Sequence, residues 1–264
     1  MTLDGSTRLH FILGDPIAQV KAPGGMTEEF RARGLNAVML PLHVAPADFA
    51  GVVAAMTQAR NVDGLIATIP HKFAAYGACA STSERSRILG VVNVMRRNDD
   101  GTWHGDMIDG LGLASAILAG GGAIAGKRCL MVGAGGAGSA IALALLDEGA
   151  GLLAIHDSDA ARRDALIGRL APVHPGRVAV GSADPSGYDV IVNATPAGMR
   201  PGDALPLDVK RLTPAMFAAC VITAPEVPAW LAAARAAGCR TATGTEMFEC
   251  ILSRMADYLL REGK

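Results

Sequence analysis

Arg128-Cys129-Leu130-Met131-Val132, followed at once by Gly133-Ala134-Gly135-Gly136-Ala137-Gly138, decides the fold. One charged and four apolar residues read as a short buried strand, and Ala137 to Glu148 reads as a helix. Between them Gly133, Gly135 and Gly138 satisfy G-x-G-x-x-G, with Ala134, Gly136 and Ala137 completing the loop. The first glycine makes the tight turn, the second lets a pyrophosphate reach the backbone, and the third lets helix and strand pack closely. The helix start adds free N–H groups and a positive dipole end. A strand, a glycine loop and a helix in this order form a dinucleotide-binding turn. The next strand, Leu152 to Ile155, leads to Asp157, at about the 20-residue spacing expected beyond the glycines. A carboxylate there accepts hydrogen bonds from the adenosine ribose and repels a 2′-phosphate, so NAD is expected over NADP. Asp157 has a second reading, in which Asp157, Ser158 and Asp159 only cap the helix that starts at Ala160. Arg162 and Arg163 on that helix read more readily as solvated surface than as phosphate ligands.

Working outward, strands and helices alternate on both sides of this turn. Upstream, Leu9–Leu13, Ala37–Leu42 and Gly64–Ile69 read as strands, and Met26–Arg33 and Phe49–Arg60 as helices. Leu113–Gly126 reads as a helix followed by a turn, the expected domain junction. Downstream, strands are expected at Val178–Val180, Val190–Asn193 and Cys220–Thr223, and helices at Ala160–Leu170, Ala229–Ala237 and Glu246–Glu262. The alternation predicts an α/β protein with mostly parallel, helix-covered sheets.

The 264 residues are 50% hydrophobic and 19% charged with a formal net charge of −1, which argues against disorder and removes any electrostatic case for nucleic acid or an anionic membrane. The five cysteines form no C-x-x-C pair, so they read as reduced thiols in a cytosolic protein with no metal site. Met1 to His10 lacks the apolar run of a signal peptide, and no stretch reaches the ~18 to 20 uninterrupted apolar residues that span a bilayer. The expected partner is a small molecule, with a homodimer left open.

Ala67-Thr68-Ile69-Pro70-His71-Lys72 places a lysine just past a buried strand, and Gly105-Asp106-Met107-Ile108-Asp109-Gly110 places a carboxylate in a second turn. Together with the glycine loop, these segments resemble the shikimate dehydrogenase family along almost the whole chain. The family's G-x-P-I appears as Gly14-Asp15-Pro16-Ile17, its T-I-P-H-K as Thr68 to Lys72, and its V-N as Val92-Asn93. Its N-A-T-P-x-G-M is matched in full by Asn193-Ala194-Thr195-Pro196-Ala197-Gly198-Met199, and Gly244-x-x-Met247 is similar to its G-x-x-M-L. The resemblance implies a substrate-binding catalytic domain (1–112, with 241–264 packing back on it) and a Rossmann domain (113–240) flanking a cleft. It implies Lys72 and Asp109 as the catalytic pair, Thr68 and Asn93 on the substrate, and a place in the shikimate pathway of aromatic amino acid biosynthesis. It also extends the cofactor site from the glycine loop and Asp157 to Asn193, Thr195, Pro196, Met199, Gly244 and Met247. Oxidising a secondary alcohol needs a hydride acceptor and a group to take the hydroxyl proton, and a lysine oriented by a carboxylate suits the second task. For Asn93 an Asx-turn is the competing reading.

The departures from the family fall on substrate contacts. Two serines that hold the shikimate carboxylate are Val20 and Ala22 here, and Lys21 between them either replaces them as an anion contact or points into water. Further polar positions become Ile66, Met107, Ile108, Thr223 and Ile251. An NAD-dependent dehydrogenase of a cyclic or bulky hydroxy compound, with shikimate disfavoured, is therefore expected. A true shikimate or quinate dehydrogenase that uses Lys21, and a non-catalytic NAD-binding sensor, are the competing readings.

Overall fold

The computed structural model describes residues 3–261, so Met1, Thr2 and the expected helix end at Glu262 lie outside the described residues. Its contacts group the residues up to Ile108 with those from Ile251 onward, and Asp109–Cys250 as a second unit.

The first unit carries β1 (Arg8–Gly14), α1 (Ala22–Ala32), β2 (Ala37–His43), α2 (Phe49–Gln58), β3 (Val62–Ala67), α3 (Lys72–Gly77), β4 (Ser81–Thr82), α4 (Glu84–Leu89), β5 (Val94–Arg97) and β6 (Trp103–Asp106). The sheet order is β2-β1-β3-β5-β6-β4. β1 runs parallel to β2 and β3, whereas β5 is antiparallel to both β3 and β6. The β5–β6 hairpin is not apparent from periodicity, because each strand has only four residues and β5 ends in two arginines. Arg97 explains its own place there. Its guanidinium donates to the carbonyls of Met56 (2.7 Å), Thr57 (3.0 Å), Ala59 (3.0 Å) and Val62 (2.6 Å), and it lies 4.9 Å from the Trp103 ring centroid. A single cation thus closes the carbonyl end of α2 onto the sheet, a favourable charge for a helix C-terminus.

The second unit carries α5 (Asp109–Ala119), β7 (Arg128–Val132), α6 (Gly136–Asp147), β8 (Leu152–His156), α7 (Ala160–Leu170), β9 (Val178–Val180), β10 (Val190–Asn193), β11 (Phe217–Cys220), α8 (Ala229–Ala236) and β12 (Arg240–Ala242). The last helix, α9 (Gly244–Leu260), starts in this unit. All five strand pairings are parallel in the order β12-β11-β10-β7-β8-β9, the doubly wound arrangement whose direction reverses between β7 and β10. α5 begins at Asp109, ahead of the expected stretch. A side chain at Gly110 would collide with the Ala140 carbonyl, so the glycine lets α5 lie directly on α6. β11 lies at Phe217–Cys220 rather than at Cys220–Thr223, since register with β10 pairs Val190 with Phe217 and Asn193 with Cys220. Its alanines hid it. Buried Trp230 donates its indole N–H to the Cys220 sulfur at 3.2 Å.

Among the described residues of the first unit, two buried side chains, Ser86 and His10, have polar atoms without a hydrogen-bond partner. His10, in β1, is 1% exposed, its ring centroid lies 4.6 Å from that of Phe30, and neither ring nitrogen has a partner. Burial lowers its pKa from 6.5 to about 4, Asp63 raising it and Arg8 lowering it by smaller amounts. The neutral ring is therefore favoured in the fold, while the unfolded chain takes up a proton below pH 6.5. This contribution is complete above that pH and is lost as pH falls towards 4, on the order of 3 kcal/mol in total. Urea midpoints at pH 7.5 and 5 should therefore fall further apart in the parent than in His10→Leu. Equal differences would refute the assignment.

Candidate active site

The C-terminal ends of parallel strands are where open α/β sheets bind ligands, and both units place their predicted residues there. In the second unit, β7 is followed at once by Gly133, whose φ of +106° is unfavourable for any side chain. A Cβ there would also lie 2.8 Å from Ala194. A Cβ on Gly138 would collide with the Gly133 carbonyl oxygen, so the third glycine brings α6 onto the loop. At Gly135 an added Cβ meets nothing within 4 Å, which leaves open space where a pyrophosphate would approach. Gly135 is the N-cap of α6 and supplies no side-chain cap, while Ser139 N–H already reaches the Gly135 carbonyl at 2.8 Å. The half-buried start of α6, from Gly136 and Ala137, fits a dinucleotide phosphate.

Asp157 and Asp159 divide the two readings between them. Asp159 caps α7 by accepting from Arg162 N–H at 3.1 Å. Asp157 is buried and accepts from Ala134 N–H at 2.7 Å and from Asp159 N–H at 2.9 Å, so it ties the glycine loop to the end of β8. The Arg162 guanidinium lies 3.8 Å from Asp157 and 3.3 Å from Asp159, and Arg163 pairs with Asp164 at 2.7 Å. Asn193, fully buried, spends its amide inside its own loop. Its oxygen accepts from Thr195 N–H (3.0 Å) and Thr195 Oγ1 (2.7 Å), and its nitrogen donates to the Ala197 carbonyl (3.3 Å). Pro196 is exposed, and its carbonyl accepts from Met199 N–H at 3.0 Å. Gly244 starts α9 where a side chain would collide with the Ile222 carbonyl, and Met247, one turn on, is 9% exposed. Thr243 and Glu246 cap this helix reciprocally: Glu246 accepts from Thr243 N–H at 2.7 Å, and Thr243 Oγ1 from Glu246 N–H at 3.2 Å.

In the first unit the turns after β1 and β3 are joined: Thr68 N–H donates to the Leu13 carbonyl and Asp15 N–H to the Ile69 carbonyl, both at 2.9 Å. His71 is buried against Phe49 and bonds the Val44 carbonyl at 2.8 Å, burial favouring its neutral form. Lys72 opens α3 only 8% exposed, between this turn and the lead into β5, where Val92 N–H meets the Lys72 carbonyl at 3.0 Å. The Asn93 side-chain oxygen accepts from Ile108 N–H at 2.8 Å, and its backbone joins Ala67 to Asp106. Thr68, Lys72 and Asn93 therefore lie at the same end of the central strands β3 and β5, and Asp109 follows Ile108 directly. Lys21 is exposed at the N-cap of α1. Sequence reasoning passed over Asp106, 6% exposed, which accepts from Met107 N–H at 2.7 Å and from the Ser83 hydroxyl, and forms an ion pair with Arg85 at 3.3 Å.

Residues 12–95 match the model of the shikimate dehydrogenase substrate binding domain. The shikimate dehydrogenase (NADP(+)) of Acidiphilium cryptum is 35% identical over 247 residues, 94% of this chain and 88% of the relative. The chain belongs to the shikimate dehydrogenase family. It is an oxidoreductase of the shikimate/quinate dehydrogenase type, acting on a CH–OH group of a small molecule with an NAD(P)-binding Rossmann fold. Two solved structures widen the picture. The quinate dehydrogenase of Corynebacterium glutamicum in complex with NAD is 28% identical, with a TM-score of 0.82 over 97% of this chain and 99% of that one. The 5-ketofructose reductase of Gluconobacter sp. strain CHM43 is 27% identical, with a TM-score of 0.83 over 97% and 94%. Among the described residues no group of three or more His, Cys, Asp or Glu could hold a metal ion, and no helix is long and apolar enough to cross a membrane.

The three glycines should fail differently. Gly138→Ala forces backbone apart and should lower the melting temperature by several degrees. Gly135→Ala should melt with the parent yet bind dinucleotide about tenfold more weakly or worse, since the new methyl occupies the phosphate approach. Thermal melts and calorimetric titration read the two effects separately, and parental affinity in folded Gly135→Ala would refute this assignment.

Proposed function

We propose that this protein is an NAD-preferring dehydrogenase of a cyclic or bulky hydroxy compound, with Lys72 and Asp109 as its catalytic pair and shikimate a poor substrate. The observation that carries this reading is a buried lysine at the end of a central strand, in a unit whose family substrate contacts are apolar here. Ala22, Ile66, Met107, Ile108 and Ile251 are all buried where the family presents polar groups. A substrate hydroxyl desolvated against them loses a hydrogen bond at about 1–3 kcal/mol each. NAD supplies the hydride acceptor when bound. Lys72 takes or relays the hydroxyl proton, Asp109 orients the pair, Thr68 and Asn93 border the substrate, and Asn193, Thr195, Pro196, Met199, Gly244 and Met247 frame the cofactor beside the glycine loop.

The cofactor preference rests on charge. A 2′-phosphate near Asp157 would face two carboxylates, and Arg162 is already engaged by both. The relatives divide, with NADP(+) in the curated names and NAD in the quinate dehydrogenase complex. Calorimetry should give tighter NAD than NADP binding by the parent, and a smaller gap in Asp157→Asn. Tighter NADP binding by the parent would sink the reading.

Substrate choice is tested by assaying shikimate, quinate and 5-ketofructose. Shikimate turnover should be weakest, and efficient oxidation at micromolar KM would favour the alternative in which Lys21, exposed at the start of α1, holds a carboxylate. On the best substrate Lys72→Ala should lower kcat by roughly 10²–10⁴-fold with NAD affinity unchanged. Near-normal kcat would remove Lys72 from the chemistry.

A further inference from the structure

We infer that Asp106 is a positioning residue that sets the backbone from which Asp109 projects; this rests on the catalytic role proposed for Asp109. The two peptides before Asp109 are gripped in succession. Met107 N–H donates to Asp106 Oδ1 at 2.7 Å, and Ile108 N–H donates to Asn93 Oδ1 at 2.8 Å. Both acceptors are buried, Asp106 at 6% and Asn93 at 1% exposure, so neither bond is readily replaced by water. The Asp106 carboxylate is itself fixed. The same oxygen accepts from the Ser83 hydroxyl, and Arg85 Nε lies 3.3 Å away. Ser83 is held in turn, because its N–H donates to the Gly105 carbonyl at 3.0 Å and its side chain caps α4.

This arrangement has a chemical reason particular to this chain. Met107 and Ile108 stand where the family has an asparagine and a threonine, and their side chains are buried and apolar. They offer no polar group of their own to anchor the turn. A charged acceptor from the preceding residue and an amide from Asn93, 15 residues earlier, hold its N–H groups. Asp109 begins α5 one peptide later. Because a displacement of about 1 Å at a reacting group costs on the order of 10²-fold in rate, the hold on this backbone is a rate determinant even though Asp106 touches no substrate.

The test compares Asp106→Ala with Asp106→Asn in the full chain. Asparagine keeps an acceptor for Met107 N–H, and alanine does not. Deuterium exchange of the peptide containing Met107 and Ile108 should speed by at least about tenfold in Asp106→Ala and stay parental in Asp106→Asn. On whichever of quinate, shikimate or 5-ketofructose the parent turns over, kcat should fall about 10- to 100-fold in Asp106→Ala and be largely rescued in Asp106→Asn, with KM for NAD unchanged in both. Should Asp106→Ala fail to fold, Ser83→Ala removes one hold on the same carboxylate and should show the same split in smaller measure. Parental exchange in a folded Asp106→Ala, or faster exchange with parental kcat, overturns the inference. Asp109→Asn in the same assay separates the two claims. If it is also silent, the catalytic reading has failed; if it alone is impaired, the positioning role has failed. With no turnover of the three compounds, the exchange comparison decides whether Asp106 holds the turn.

Discussion

The second unit depends on one approach of backbone to backbone, where α6 meets the loop that leaves β7. Gly138 lies so close to the Gly133 carbonyl that no side chain fits between them. That contact brings the start of α6 over the end of the central strand, at the point where the sheet reverses its order. The end of β8 with Asp157 and the end of β10 with Asn193 then flank the same loop, because both strands pair with β7. The place open to a dinucleotide phosphate follows from helix placement, and helix placement follows from the absence of a Cβ at Gly138.

Most polar side chains of both candidate sites serve the backbone first. Asp157 holds the amides of Ala134 and Asp159, Asn193 and Thr195 build their own loop, and Asn93 and Asp106 hold the turn before Asp109. The cause is general. Loops at a strand end leave N–H groups without ladder partners, and burying them unpaired costs more than ordering a side chain to meet them. Removing such a side chain disturbs a loop as well as a ligand, so its loss is best read beside a variant that keeps the acceptor.

The sequence made the local features legible and hid the remote ones. Strand, glycine loop and helix occupy neighbouring residues between Arg128 and Asp147, so spacing alone identifies them. Asp157 was legible as a carboxylate at the right distance, but its bond to Ala134 was not, because it spans 23 residues. The β5–β6 hairpin was hidden for a related reason. Arg97 looks like surface charge until the carbonyls of α2, roughly 40 residues earlier, are brought around it. Asp106 escaped notice because its neighbour at Asp109 fits the family motif and it does not. Its partner Ser83 lies 23 residues away on another element.

The same division separates what this chain shares with its family from what it has changed. The shared residues Gly133, Gly138, Asn93, Asn193 and Gly244 each carry a backbone duty: a close approach, a positive φ or a hydrogen bond to a main-chain amide. Ala22, Ile66, Met107, Ile108 and Ile251 carry no such duty: their side chains are buried and apolar, and they pack without opening the scaffold. Lys72 belongs to neither group. Burying an ammonium group costs free energy that apolar packing does not return, and Lys72 is only 8% exposed.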